Sequence, residues 1–262
     1  MDDELGEIYE LNNSLLQLAE NLQDEFNKRE IKRDALSADL GLLCFFFAKA
    51  SKTASAVVFL CQEGYAEDAF VLVRTIFEIV VKSFYIFKSD SIERARAFIL
   101  YDHFEKRKQL RKIANWNKKE KIENKELEEE LKKEEKICET MEKDYPNSID
   151  KVKWPKKNLE ELSKEIDLAN EYYTFYWISS LYTHTSSRSS MSYVSEKDKI
   201  LSFDIKSNEE LSKDVLCYLC DLFKRMVREF DNRFNLGYQE KISEVEEKFG
   251  KFMQSVIKEK DT

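Results

Sequence analysis

An all-α fold, a single multi-helix bundle of about seven helices, is what this sequence predicts. Three observations carry that expectation. The 262 residues include only 5 Gly and 2 Pro, and a fold with many turns needs those residues. Apolar side chains recur at helical spacing, as in Leu5, Ile8, Leu15, Leu18, Leu22 and Phe26. Hydrophobic residues make up 42% of the chain and charged residues 36%, enough for a real core under solvated outer faces.

The first helix spans residues 3–30 and the second about 35–63, with Gly64 placed as a helix C-terminal glycine. The third, about 66–88, begins "AEDAFVLVRTIFEIVVKSFYIF" and is apolar nearly all round, so it belongs at the centre. Ser91 is the expected N-cap of the fourth, with Glu93 in its first turn. Beyond Trp116 the composition shifts, and residues 118–145 form a charged helical arm. Its thin apolar seam is Leu127, Leu131, Cys138 and Met141. The arm reads as a solvated hairpin or an extension of the fourth helix, with a coiled coil to a partner as the other reading. Pro146, Asn147, Ser148, Trp154 and Pro155 mark a loop. Helical signals resume at Leu159 and through "ANEYYTFYWISSLY", then fade at "THTSSRSS". Residues 192–206 lack a helical period and read as loop or short strand. Ser207 and Glu210 make a capping box before a helix from Leu211 to Phe234, and a last helix covers about 238–258. No internal repeat is present, so residues 1–262 read as one domain.

The net charge is −8. Generic duplex binding leaves a basic footprint, so sequence-independent DNA coating is excluded, although 43 Lys and Arg leave room for local basic patches. Five cysteines, an odd number, suit a reducing compartment better than a disulfide scaffold. The start, MDDELGEIYE, lacks a signal-peptide n-region. The most apolar stretch, "GLLCFFFAKASKTASAVVFLC", is interrupted by Lys49 and Lys52 and reads as core rather than membrane span. The expectation is a soluble cytoplasmic protein with no membrane association.

Three constellations could carry chemistry. Arg74 and Glu78 stand four apart on an apolar helix and so share a face. They are either a structural ion pair or the lining of a polar pocket. His184 and Arg188 come after an aromatic helix and lie among Ser and Thr hydroxyls. The imidazole is either a satisfied helix end or a proton-transfer group, since its ordinary pKa is about 6.5. Arg96 and His103, seven apart, lie on one face of the fourth helix, as an exposed polar stripe or a second site. No cofactor and no metal are expected. The chain has no glycine-rich phosphate loop and no G-x-S-x-G elbow. Cys217-x2-Cys220 has no second ligand pair near it in sequence for zinc.

The stretch "EGYAEDAFVLVRTIFEIVVKSFYIF", with "RARAFILYDHFEKRKQL" and "YYTFYWISSLYTHTSS", resembles an uncharacterised bacterial all-helical family, a domain of unknown function. The shared pattern is a turn glycine (Gly64), Arg-x3-Glu (Arg74 and Glu78) and a late His (His184). It extends over roughly residues 35–235 apart from the arm. That layout is similar in turn to HEPN-type helical domains, many of them metal-independent ribonucleases in toxin and phage-defence systems. Their signature is Arg-x4–6-His. Here Arg96-x6-His103 has the spacing but lies mid-chain, and His184-x3-Arg188 has the reverse order.

Two functions are compatible with these features. In the first, implied by the resemblance, the chain is a ribonuclease-like toxin or defence effector acting on RNA. His184 is then base or acid, Arg74 or Arg188 holds phosphate, Glu78 orients them, and the site forms in a homodimer. In the second, the chain is a non-catalytic helical module that binds an operon-encoded protein partner or senses a ligand.

Overall fold

Burying a helix that is apolar nearly all round requires neighbours on several sides. The computed structural model describes residues 3–144, 157–183, 190, 193–197, 200–203 and 209–260. Among the described residues are nine helices and one β-hairpin. They are α1 (Asp3–Asn27), α2 (Ala38–Gln62), α3 (Ala66–Lys88), α4 (Ser91–Glu120), α5 (Lys125–Asp144) and α6 (Leu159–Glu165). Next comes α7, a helical rod over 169–183 with a π turn at Tyr172–Tyr176. Strands β1 (Val194–Lys197) and β2 (Ile200–Phe203) pair antiparallel, with Val194 opposite Phe203. Helices α8 (Glu209–Phe234) and α9 (Gln239–Lys260) complete the order.

Helix α3 packs against α2, α8, α7 and α6. Twelve of its 23 residues are buried, which makes it the central helix that its composition predicts. Helix α1 packs on α8, and α9 covers α1 and α8. Aromatic rings lock α1, α2 and α8 together. Phe47 stacks on Phe230 with centroids 4.0 Å apart, and Phe26 meets the edge of Phe234 at 4.7 Å. Such pairs contribute about 0.5–1.5 kcal/mol beyond their buried area. Asn12 Nδ2 donates to the carbonyls of Ile8 (2.9 Å) and Leu216 (3.0 Å), a polar cross-link between α1 and α8.

By length and composition α2 passes for a membrane-spanning helix, with 39% of its most apolar window buried. In this fold it packs against α3, α8 and α4. Gly64 ends it as expected, at φ 86°. The Tyr65 N–H reaches the Leu60 carbonyl at 2.8 Å and the Gly64 N–H reaches the Cys61 carbonyl at 3.1 Å, which is a Schellman closure.

Other boundaries differ from the sequence reading. Helix α1 stops at Asn27 because the chain turns, with Glu30 at φ 48°. The N-cap of α4 is Asp90, at φ 47°, not Ser91. The Ser91 hydroxyl instead donates to Asp39 Oδ2 at 2.6 Å, tying the start of α4 to the first turn of α2. Burial pushes the Asp39 carboxyl up, but hydrogen bonds from Ser37 and Ser91 outweigh it and hold the group below its ordinary 3.8. The count exceeds seven because the arm is a helix of its own and α6 is a separate short one. Asn158 and Glu161 close the start of α6 in a reciprocal capping box. Residues 192–206 include the two short strands, whose Ile200, Leu201 and Phe203 are exposed. Pro146, Asn147, Ser148, Trp154, Pro155 and Ser207 lie outside the described residues.

The arm folds back as a hairpin. Lys121, at φ 57°, ends α4, and α5 returns along it. Of the four seam residues, Cys138 is fully buried.

Replacing Gly64 with alanine puts a Cβ in a left-handed position, a cost of about 1–2 kcal/mol. Urea unfolding of Gly64→Ala should show that loss as a lower midpoint with an unchanged slope.

Candidate functional site

Three charges on α3 stand at successive four-residue steps, Arg74, Glu78 and Lys82, and form one stripe along the helix. Arg74 Nε lies 3.6 Å from Glu78 Oε1, and Lys82 Nζ lies 3.4 Å from Glu78 Oε2. Both distances are those of ion pairs with weak hydrogen bonding at most. Their side chains are 19%, 33% and 34% exposed respectively, so the stripe runs from half-buried towards solvent.

Helix α7 lies over this stripe, and its π turn sets which residue meets Arg74. A π turn holds one residue more than an α turn. The residues after such a turn are rotated by about 100° relative to a regular α-helix. Phe175 enters the core between Phe70 and Phe77, with centroids 5.6 and 5.7 Å away. Tyr176, the next residue, covers Arg74. The guanidinium carbon lies 4.7 Å from the Tyr176 ring centroid, and Nη2 donates to the phenol oxygen at 2.9 Å. The phenol hydroxyl points towards Glu78 Oε1 at 3.5 Å. Tyr172 stacks on Tyr176 at 5.1 Å. Burial, then the negative charge of Glu78, push the Tyr176 phenol above its ordinary 10.0, and the hydrogen bond from Arg74 opposes them. Arg74 Nη1 is buried and has no hydrogen-bond partner among the described residues.

The structure therefore brings Arg74 and Glu78 together, and adds Lys82 and Tyr176. His184 and Arg188 lie outside the described residues. Helix α7 runs up to them, with Tyr182 against Phe70 at 5.5 Å, one turn of α3 before Arg74. The regular spacing of Arg74, Glu78 and Lys82 was visible in the sequence. The approach of Tyr176 was not, because a π turn leaves no mark on local periodicity.

Arg96 and His103 lie on α4, the helix against which the arm folds back. Arg96 pairs with Glu93 on its own helix at 2.9 Å. His103 Nδ1 meets Glu134 Oε1 across the hairpin, and Lys106 reaches Glu134 Oε2 at 3.2 Å and Glu130 at 3.0 Å. On the other side, Arg107 pairs with Glu142 at 3.1 Å and Arg111 with Glu135 at 2.8 Å. The Glu134 side chain is 3% exposed. Burial raises its pKa, but the hydrogen bonds from His103 and Lys106 outweigh that and leave the carboxyl below its ordinary 4.5. Arg96 and His103 thus share α4 but have different partners, Arg96 on its own helix and His103 across the hairpin on α5.

The described residues contain no group of three or more His, Cys, Asp or Glu able to hold a metal ion. All five cysteines are free thiols. Burial pushes Cys220 up strongly and Cys61 up to about 12, so both are unreactive core residues.

Fold and site together define an all-α bundle whose central helix carries an arginine–glutamate pair under a tyrosine. The chain belongs to a family of unknown function (DUF5677), whose profile matches residues 40–201, more than half of the sequence. No curated protein and no solved structure matches it.

Tyr176→Phe removes the acceptor of Arg74 Nη2 from a half-buried position and should cost about 1–3 kcal/mol, read by urea unfolding. Glu134 has a lowered pKa in the folded state, so its contribution is present above pH 4.5 and is lost as pH falls through its folded value. Protection factors of α5 amides, taken against the intrinsic exchange rate at each pH, should therefore fall on acidification below pH 4.5, and this acid sensitivity should shrink in Glu134→Gln.

Proposed function

We propose that this chain is a HEPN-like effector that cleaves RNA without a metal, of the kind that serves bacterial toxin and phage-defence systems in the cytoplasm. The observation that supports it is the Arg74 guanidinium, oriented by Tyr176 and Glu78 and carrying one buried N–H group with no partner among the described residues. Leaving such a donor unmatched costs about 1–3 kcal/mol, and a phosphate oxygen would satisfy it. Guanidinium suits that role because its planar fork matches phosphate geometry.

In this reading Arg74 holds the scissile phosphate. His184 takes the proton from the 2′-hydroxyl, whose oxygen attacks phosphorus. The 5′-oxygen leaves with a proton supplied by the same or a second acid, and a 2′,3′-cyclic phosphate remains. Arg188 steadies the negative charge that builds on the phosphorane. Because Tyr176 covers Arg74, the phosphate gains access only when that ring moves aside. A homodimer, or a protein partner encoded alongside, would supply the remaining wall of the site.

The same cover favours a second reading, a non-catalytic module in which Arg74, Glu78 and Tyr176 are structural. The test separates the two. Purified protein is incubated with total RNA in EDTA, alongside His184→Ala and Arg74→Lys. The first reading expects fragments from wild type, none from His184→Ala, and a rate reduced by about 10²–10³ in Arg74→Lys. Intact RNA in every lane would sink it.

A further inference from the structure

The arm carries a feature that the Arg74 face does not use. Helices α4 and α5 leave between them an open groove of about 720 Å³. Its floor is apolar, made by Ile99 and Leu100 on α4 and by Ile137 and Met141 on α5, while Arg96, Lys133 and Lys136 form its rim. Ile99 and Ile137 are each 38% exposed, and Leu100 is recessed at 5%. We propose that this groove docks an acidic amphipathic helix of a partner protein.

The shape of the groove selects a helix. Two antiparallel helices side by side present a trough, and a third helix laid in it would bury the four floor residues as in a three-helix bundle. Ile137 and Met141 are one turn apart, which matches apolar anchors at i and i+4 on the guest.

The charge of the groove selects the sign of the guest. Glu93 offsets Arg96. Lys133 and Lys136 pair with no carboxylate among the described residues. Glu134, beside them in sequence, is buried against His103 and Lys106 and contributes little field outside. The rim is therefore a cationic surface on a chain of net charge −8. A second copy docked symmetrically on this face would set Arg96, Lys133 and Lys136 against their own kind, so self-association is disfavoured here. A lipid surface suits a convex apolar face, whereas the floor here is recessed.

The groove is separate from the Arg74 face, so this proposal and the ribonuclease reading stand or fall independently. Fluorescence anisotropy of the full chain tests it with a labelled peptide that carries Leu at i, i+3, i+4 and i+7 and Glu at the flanking positions. Saturable binding is expected, weakening with salt. Ile137→Asp and the double change Lys133→Glu/Lys136→Glu should each weaken it by about tenfold or more. These side chains are exposed, so circular dichroism should be unchanged. Lys49→Glu/Lys52→Glu on α2 alters net charge equally and should bind as wild type does. The bulk charge repels an acidic peptide, so binding reports local attraction. No binding, equal binding of a scrambled peptide, or equal affinity in the Lys133/Lys136 variant would overturn the proposal. Binding to vesicles of equimolar phosphatidylcholine and phosphatidylglycerol in preference to the peptide would do the same.

Discussion

Helix α3 must bury twelve side chains and still keep Arg74, Glu78 and Lys82 solvated or paired. Burying a lone charge costs several kcal/mol, so the three charges fall on one stripe and the rest of the helix is free to be enclosed. Helices α2 and α8 take the apolar sides. Helix α7 covers the stripe, and it does so with tyrosine, a side chain with an apolar body and a polar tip. The ring stacks on the guanidinium while the hydroxyl bridges the two members of the pair. A phenylalanine would offer the same area without the tip, and an aspartate the charge without the area.

The arm obeys a different logic. It is held to α4 by ion pairs along both sides, one of them from His103 onto the buried Glu134 carboxylate, and by the buried seam residue Cys138. Exposed ion pairs each contribute little. The arm is therefore expected to open more readily than the ring-packed bundle of α1, α2 and α8, and its most protected point is the buried carboxylate.

The features legible in the sequence were those that depend on local chemistry. The poverty of glycine and proline pointed to a helical fold, Gly64 marked the end of α2, and apolar content alone placed α3 at the centre. The pairing of Arg74 with Glu78 was legible because both lie on one helix, where spacing sets distance. Contacts between elements were not. Nothing near His103 names Glu134, thirty-one residues away, as its partner. Ser91 has the chemistry of a cap, yet its hydroxyl is drawn to Asp39 on another helix, and the cap position passes to Asp90. Tyr176 was hidden for a further reason. A helical wheel drawn at constant pitch loses its register at the π turn, so it misassigns every face after Tyr172.

That turn has a meaning in descent as well as in geometry. A π turn and an α turn differ by one residue, so a single-codon insertion or deletion within 172–176 converts one into the other. Such a change leaves Arg74 and Glu78 untouched while replacing the residue that covers them. Members of the family can thus diverge at this face through one small lesion in a different helix, and an alignment of α3 alone would show no trace of it.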